Sequence, residues 1–558
     1  MTLMIRNIRS NMIFATLTLV LFSNAALRAQ DLLGGASPTE DIVGGAGTGS
    51  VYTSPTVRKQ HARKPVKPDP PLRKVSVAPK KRVVANVTPR PKPPVGHTVT
   101  PLETAETLTE QGNALFDVGQ YEKALASYSQ ATRVKSDYAE AYFGQGDAYD
   151  MLDRSEEAIQ AYEEAVRLKP ELTEAQFSIG VIYFEAGKYD QAIASFNKLI
   201  KLVGNDADTQ NFLGLAFQKS NRPTDALAAF QSATQLEPDF AQAFYNLGGQ
   251  LDAMGRSQEA IAAFERTVAL KPDYAEAFFD LGVLYYNALR YDDAVKAYQN
   301  ATRVRKDFAE AFANLGDALR QLGRNEDAVT AYRQAISLKA DDAASYADLG
   351  QTLNKLGRYS EAISALNQAV RLNPNNAEAQ SELGYANGKQ RRWNEAIQAL
   401  TQAVRLAPND AESYSNLGWA YNNSGKFTEA SESLKKAIEL DPKFAPAHFN
   451  KGIAQSRLGQ KEAALASFKQ ALLLRNDWPA AHNNLGYVYG SLNRWNDAIA
   501  AHKEAIRQRP DFAGAYFNLG YAYLQVKKKK EAMDQYKVLQ TLDAEKANRL
   551  LLEINKKR

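Results

Sequence analysis

The sequence contains no cysteine among its 558 residues. That excludes disulfides, thiolate chemistry, Cys-ligated zinc, iron–sulfur clusters and lipid attachment at an N-terminal cysteine. Histidine occurs only five times, too sparsely for a histidine-rich metal centre. No apolar run reaches the roughly 20 residues that a membrane-spanning helix needs. The Gly-Lys pairs Gly187-Lys188, Gly388-Lys389 and Gly425-Lys426 lack both the upstream glycine and the following hydroxyl of a phosphate-binding loop. Neither a zinc-protease helix signature nor a G-x-S-x-G elbow occurs. The acid pairs Glu156-Glu157 and Asp292-Asp293 fall at predicted helix starts, where the helix dipole accounts for them. The sequence therefore predicts no catalytic residues, no metal and no cofactor.

Charge is split along the chain. Residues 1–104 hold 15 Lys+Arg against 5 Asp+Glu, whereas the remainder holds 53 against 58. Arg6 and Arg9 precede the apolar run 12–22, and small residues follow in Ser23-Asn24-Ala25-Ala26. This pattern predicts a signal peptide over 1–29, cleaved near residue 25 or 29, or alternatively left uncleaved as an N-terminal anchor. The protein is accordingly expected to be exported: periplasmic, envelope-associated or secreted. Residues 30–101 contain 12 of the 22 prolines, and 56–94 carry 12 basic residues against the single acid Asp69. Proline removes donors and like charges repel, so 30–101 is expected to be a disordered, extended linker. It serves either as a solvated spacer or as an attachment to an anionic envelope polymer or lipid head groups.

The body is periodic. Glycine stands at Gly112, Gly146, Gly180, Gly214, Gly248, Gly282, Gly316, Gly350, Gly384, Gly418, Gly452, Gly486 and Gly520, always 34 residues apart. Twelve residues after each glycine there is an alanine, from Ala124 to Ala532. Counting from Ala275 in the unit Ala275–Phe308, the glycine is position 8 and the alanine position 20. Apolar residues at positions 4, 7, 8 and 11, and again at 20, 21, 24, 27 and 28, follow a helical period, which predicts two helices per unit. Asp or Asn at position 33, as in Asp137, Asn205, Asp239 and Asn409, is expected to cap the following helix. Arg or Lys at position 16, as in Arg222, Arg256, Arg290 and Arg358, is expected to complement the dipole of the first helix. The glycine at position 8 and the alanine at position 20 lack bulk and let the two helices approach. Residues 543–558 should cap the array, with Leu551, Leu552 and Ile554 packing and Glu545, Lys546, Arg549, Glu553, Lys556 and Lys557 facing water.

These identities resemble the tetratricopeptide repeat family over residues 102–542, as thirteen units. The resemblance implies an all-α, right-handed superhelical solenoid whose concave face is lined by positions 2, 5, 6, 9, 12 and 13 of each first helix. Position 6 carries Asn246, Asn314, Asn416, Asn450, Asn484 and Asn518, with Asp280 and Asp348 between them. This row is similar to the asparagine ladder in the repeat domain of O-linked N-acetylglucosamine transferase, without that enzyme's catalytic domain. An amide offers both a donor and an acceptor, as the backbone of an extended peptide requires.

Aromatic residues are interleaved with the row: Phe279 at position 5, and Trp419, Tyr487 and Tyr521 at position 9. Such rings either serve as contact hot spots or pack between repeats. Position 2 is mostly acidic, which suits a basic or neutral segment and argues against nucleic acid in the groove. His448 and His482 share position 4, where other units carry Tyr or Phe, and are expected to be substitutes for core rings. The sequence thus points to a non-enzymatic exported scaffold that binds an extended segment of a partner protein. An envelope polysaccharide-binding module is the alternative, and a repeat-containing glycosyltransferase-type enzyme fits less well.

Overall fold

The structure, a computed structural model, describes residues 104–556; the expected signal peptide, the linker and Lys557 lie outside them. The described residues form 27 α-helices and no strands, from α1 (Ala105–Asp117) to α27 (Ala544–Lys556). Odd-numbered helices up to α25 (Ala513–Gln525) are the first helices of the thirteen units, and even-numbered helices up to α26 (Lys529–Leu542) are the second. Two compact units divide between Ala318 and Leu319, within α13 (Ala309–Gln321). Each is a stack of antiparallel hairpins.

Within a hairpin the chain reverses through one left-handed residue at position 15. Seven of these are glycines, among them Gly119, Gly255 and Gly459, and six are Asp153, Asn221, Leu289, Arg391, Asn493 and Lys527, with φ between 56° and 61°. Two hydrogen bonds close the turn in each case, as with Leu289 N–H to Tyr286 O at 3.0 Å and Arg290 N–H to Tyr285 O at 2.8 Å. This paired arrangement satisfies carbonyls that the helix end would otherwise leave open.

Leu289 is the costly member of the set: a branched side chain in the left-handed region, 61 % exposed, so that it buries little in return. Leu289→Gly is expected to stabilise the protein by about 1 kcal/mol. The check is the urea midpoint, and a lowered midpoint would contradict the assignment of strain.

The cationic residue at position 16 follows this turn, and its role differs from the one expected. Its side chain turns to the second helix. Arg222 Nε lies 2.7 Å from Asp225, Arg256 Nη2 2.7 Å from Glu259, and Arg494 Nη2 2.7 Å from Asp497. Several guanidinium groups also cover the ring at position 11, as Arg290 does over Tyr285 at 4.4 Å and Arg494 over Tyr489 at 4.6 Å. The row closes the turn from outside, and each exposed pair contributes little on its own.

The caps are also corrected by one residue. Side chains cap the helices from position 34: Asp206 accepts from Thr209 N–H at 2.8 Å, Asn376 from Ala379 N–H at 3.0 Å, and Asp410 from Glu412 N–H at 3.1 Å. Elsewhere position 34 is mainly aromatic, and in three units it packs against a ring at position 5 of the same unit. Tyr245 stacks with Tyr274 at 4.7 Å, Phe279 with Phe308 at 4.9 Å, and Phe449 with Trp478 at 4.4 Å. Arg305 lies 3.5 Å above the Phe308 ring. Most units therefore start either on a polar cap or on a ring, the unit that begins on Leu172 being the exception.

The position-8 glycine faces one side chain, that of position 24 in the same hairpin. A Cβ on Gly146 would stand 2.5 Å from the Tyr162 ring, and one on Gly282 2.6 Å from the Tyr298 ring. In the last unit the neighbour is Leu550 of α27, at 2.5 Å from a Cβ on Gly520. The capping helix therefore buries Ala547, Leu550 and Ile554, while Leu552, expected to pack, is exposed. A step of one residue turns a helix by about 100°, which places Leu552 on the water side.

Candidate functional site

The first helices present the positions expected to line a binding surface, and the structure sorts those residues into covered and accessible. Asn314, Asn416 and Asn450 are buried, whereas Asn246, Asn484 and Asn518 are half-buried. Two of the half-buried asparagines use a donor between repeats. Asn246 Nδ2 donates to Asn211 Oδ1 at 2.8 Å, and Asn518 Nδ2 donates to Asn483 Oδ1 at 3.0 Å. Both bonds join position 6 to position 5 of the preceding unit. Tyr245 O–H makes the same step to Asp280 Oδ2 at 2.8 Å.

The aromatic row is largely internal, which corrects half of the expectation. Phe279 is buried between the Tyr298 and Phe308 rings, at 5.9 and 4.9 Å. Trp419 is 4 % exposed, edge-on to Trp393 at 5.4 Å and tilted against Tyr385 at 6.1 Å. Tyr487 is half-buried, and Tyr521 is exposed with its ring 6.2 Å from Trp495. The physical reason is the narrow spacing of stacked first helices. A large ring at position 5 or 9 fills the space against the next repeat before it can reach solvent.

In the unit from Leu319 onward, the first helices α15 (Ala343–Lys355), α17 (Ala377–Lys389), α19 (Ala411–Asn423), α21 (Ala445–Arg457) and α23 (Pro479–Ser491) carry a buried polar seam. Asn354 Nδ2 donates to the backbone oxygen of Glu382 at 3.1 Å, and Asn422 Nδ2 to that of Asn450 at 2.9 Å. Both bonds run from position 12 to position 6 of the next unit. Five polar atoms along the seam are buried with no hydrogen-bond partner: Asn354 Oδ1, Trp419 Nε1, Asn422 Oδ1, Asn450 Oδ1 and Asn483 Nδ2. Native interiors rarely leave such atoms unpaired. Asn354, Asn422 and the position-5 residues Asn211 and Asn483 carry no signal in the sequence, since only their contacts distinguish them from surface amides.

The acids behave unevenly. Glu140 pairs with Lys169 at 2.8 Å and Glu276 with Arg305 at 2.5 Å, so part of the position-2 row is neutralised internally. Burial pushes Asp280 up to about 7, against the stabilising bond from Tyr245, with Asp252 and Glu276 adding repulsion. Burial likewise pushes Glu412 up to about 7, with Glu382, Asp410 and Glu378 adding to the effect.

The histidines are structural. Nε2 of His448 lies 3.0 Å from Pro442 O, and that of His482 lies 3.1 Å from Asn476 O, so each donates to a carbonyl six residues earlier. His482 is buried as a substitute ring, and His448 is half-buried. Among the described residues, no group of three His, Asp or Glu side chains is arranged to hold a metal ion.

The chain is a tetratricopeptide repeat protein. Models described as tetratricopeptide repeats match residues 109–173, 154–208, 213–275, 423–485 and 513–546, and a TPR repeat model matches 488–527. The model of the C-terminal domain of cilia and flagella-associated protein 70 matches residues 247–450. No curated protein matches the chain.

Among solved structures, the chain is similar to the APC/C hetero-tetramer Cut9–Hcn1, at 14% identity over 81% of this chain and 96% of that one, with a TM-score of 0.39. It is also similar to YrrB, described as a TPR protein with an unusual peptide-binding site, at 26% identity over 34% and 96% of the two chains, with a TM-score of 0.31. A thermophilic TPR protein of Thermus thermophilus is similar at 28% identity over 33% and 99%, with a TM-score of 0.29.

Proposed function

We propose that this protein is an exported, non-enzymatic scaffold that holds an extended segment of a partner protein along the first helices of its repeats. The observation that carries the reading is the seam of unpaired polar atoms in α15 to α23, from Asn354 Oδ1 to Asn483 Nδ2. A chain lying in extended form offers alternating N–H and C=O groups at its own backbone, and side-chain amides match both. Asn416, Asn450 and Asn484 recur once per repeat, the spacing at which one segment can be held at several points. Export rests on the sequence of residues 1–29.

The covered rings of Trp419 and Tyr385 leave little aromatic face for a sugar, which favours a peptide over a polysaccharide ligand. Attachment through the basic residues of 56–94 to an anionic envelope polymer or lipid head groups is a second, separable contact of the same scaffold.

The test is affinity capture from an envelope extract with the wild-type chain and with Asn416→Ala/Asn450→Ala/Asn484→Ala. The triple variant is expected to lose capture by roughly tenfold or more, since each lost amide removes about a kcal/mol of hydrogen bonding. Circular dichroism of both proteins at the capture temperature separates lost binding from unfolding, because Asn416 and Asn450 are buried. Equal capture by both proteins would remove the asparagine row from the binding surface.

A further inference from the structure

One cluster on the seam bears on which side chains a bound segment carries. Glu378 and Glu382 stand on α17 at positions 2 and 6, and Glu412 on α19 at position 2. Gln351 Nε2 lies between the first two, 3.1 Å from Glu378 Oε1 and 3.4 Å from Glu382 Oε1. Asn354 Nδ2 donates to Glu382 Oε2 at 2.7 Å. The other atom of that amide, Oδ1, is buried without a donor, and the whole Asn354 side chain is 6 % exposed. Three carboxyl groups and one orphaned carbonyl oxygen thus converge, and all of them are acceptors.

The cations nearby do not balance Glu382 and Glu412. Arg320 is engaged with Gln351 Oε1 at 2.7 Å and with Asp348 at 3.8 Å. Lys389 lies over the Tyr385 and Tyr359 rings at 5.6 and 5.9 Å. Lys355 is the cation whose field reaches Glu382, and burial together with Arg320 lowers its own tendency to hold a proton. Neither Glu382 nor Glu412 makes an ion pair among the described residues. Burial raises Glu382, chiefly offset by Asn354 and Gln351, so the carboxylate stands at a cost that an added cation would relieve.

We propose that Glu378, Glu382, Glu412 and the Asn354 carbonyl form a subsite for the ammonium or guanidinium group of a Lys or Arg side chain in the segment held along the first helices. The cluster is not arranged as a metal site, and a flexible basic side chain can reach a half-buried carboxylate through its long aliphatic stem. This inference rests on the reading of the first helices as a peptide-binding surface.

The experiment is selection of a phage-displayed random peptide library on the full chain, on Glu378→Gln/Glu382→Gln/Glu412→Gln, on the single variant Glu412→Gln, and on the triple asparagine variant. Wild type is expected to enrich Lys or Arg at one fixed register of the selected peptides. A selected peptide should bind the triple glutamine variant roughly ten- to a hundredfold more weakly, and Glu412→Gln less so. Replacing its basic residue by norleucine should remove the difference between wild type and the glutamine variants. The glutamine variants should melt no lower than wild type at pH 8, because they remove buried charge.

Peptides that bind wild type and depend on the asparagines, yet show no basic preference or bind the glutamine variants equally, overturn the subsite and leave the scaffold standing. No enrichment on wild type at all overturns both. If the triple glutamine variant is unfolded, equal binding of the basic peptide to wild type and folded Glu412→Gln is the result that defeats the proposal.

Discussion

Gly248→Val should destabilise the hairpin of α9 (Ala241–Ala253) and α10 (Ser257–Leu270) by roughly 3 kcal/mol, whereas Gly249→Ala, one residue along the same helix, should stabilise it by about 1 kcal/mol. The two glycines have opposite surroundings. A Cβ on Gly248 would lie 2.8 Å from the Phe264 ring, which is buried, while one on Gly249 meets nothing within 4 Å. At position 8 the missing side chain is the space that the position-24 ring occupies, and helix propensity is sacrificed for it. At Gly249 no such gain offsets the backbone entropy. Hydrogen exchange of the α9 and α10 amides is the appropriate readout, because repeat arrays can open locally. If Gly248→Val exchanged as slowly as wild type, the close approach would have no energetic weight.

Acidification should weaken the wild-type protein through His502, and His502→Phe should remove much of that weakness. His502 fills position 24, where Phe264 and Phe468 stand in other units, and it is almost completely buried. Its Nδ1 lies 2.9 Å from Asn483 Oδ1, an acceptor, so the neutral ring donates there. Burial pulls the imidazole down to about 3. The unfolded chain takes up this proton near the ordinary value of about 6.5, while the folded chain resists it until about 3. The stabilisation is therefore complete above about 6.5 and shrinks as pH falls through that window, by roughly 1.4 kcal/mol per pH unit at most. Urea denaturation at pH 7, 5 and 4 should show a steeper loss for wild type than for His502→Phe. Parallel losses would mean that other groups govern the acid response.

Much of this architecture is written at positions where only one residue type fits. The glycine at position 8 and the alanine at position 20 announce the hairpin because a larger side chain at either would occupy filled space, so the pattern survives in all thirteen units. The turn between the helices is less legible, since its left-handed residue is glycine in only seven units and is Leu289, Arg391 or Lys527 in others. There the two paired hydrogen bonds hold the backbone in place, and the residue itself gives no sign. The pattern places the cap and the packed face of the terminal helix one or two residues off for a common reason. Periodicity locates a face, but one step along a helix turns the side chain by about 100°, enough to exchange Leu550 for Leu551 or Leu552.

The candidate surface is legible in its spacing but not in its accessibility. Asn416, Asn450 and Asn484 repeat visibly, yet the sequence does not distinguish a ring that reaches solvent, such as Tyr521, from one that fills an inter-repeat gap, such as Trp419. The acid cluster is similarly hidden. Glu378 and Glu412 belong to a row that is paired in Glu140 and Glu276, and only the approach of Gln351 and Asn354 to Glu378 and Glu382 sets this part of the row apart.

The terminal helix α27 also governs how the array could be lengthened. Continuing the 34-residue step from Gly520 reaches Ile554, a wholly buried branched residue in place of the expected glycine. Ala547 and Leu550 still hold the beginning of a fourteenth register, but the notch that would admit another partner helix is plugged. Whole periods can therefore be deleted or inserted upstream of residue 543 while the plug stays in place. Lengthening beyond it would first require a glycine at 554 and a new helix to fill the opening it leaves.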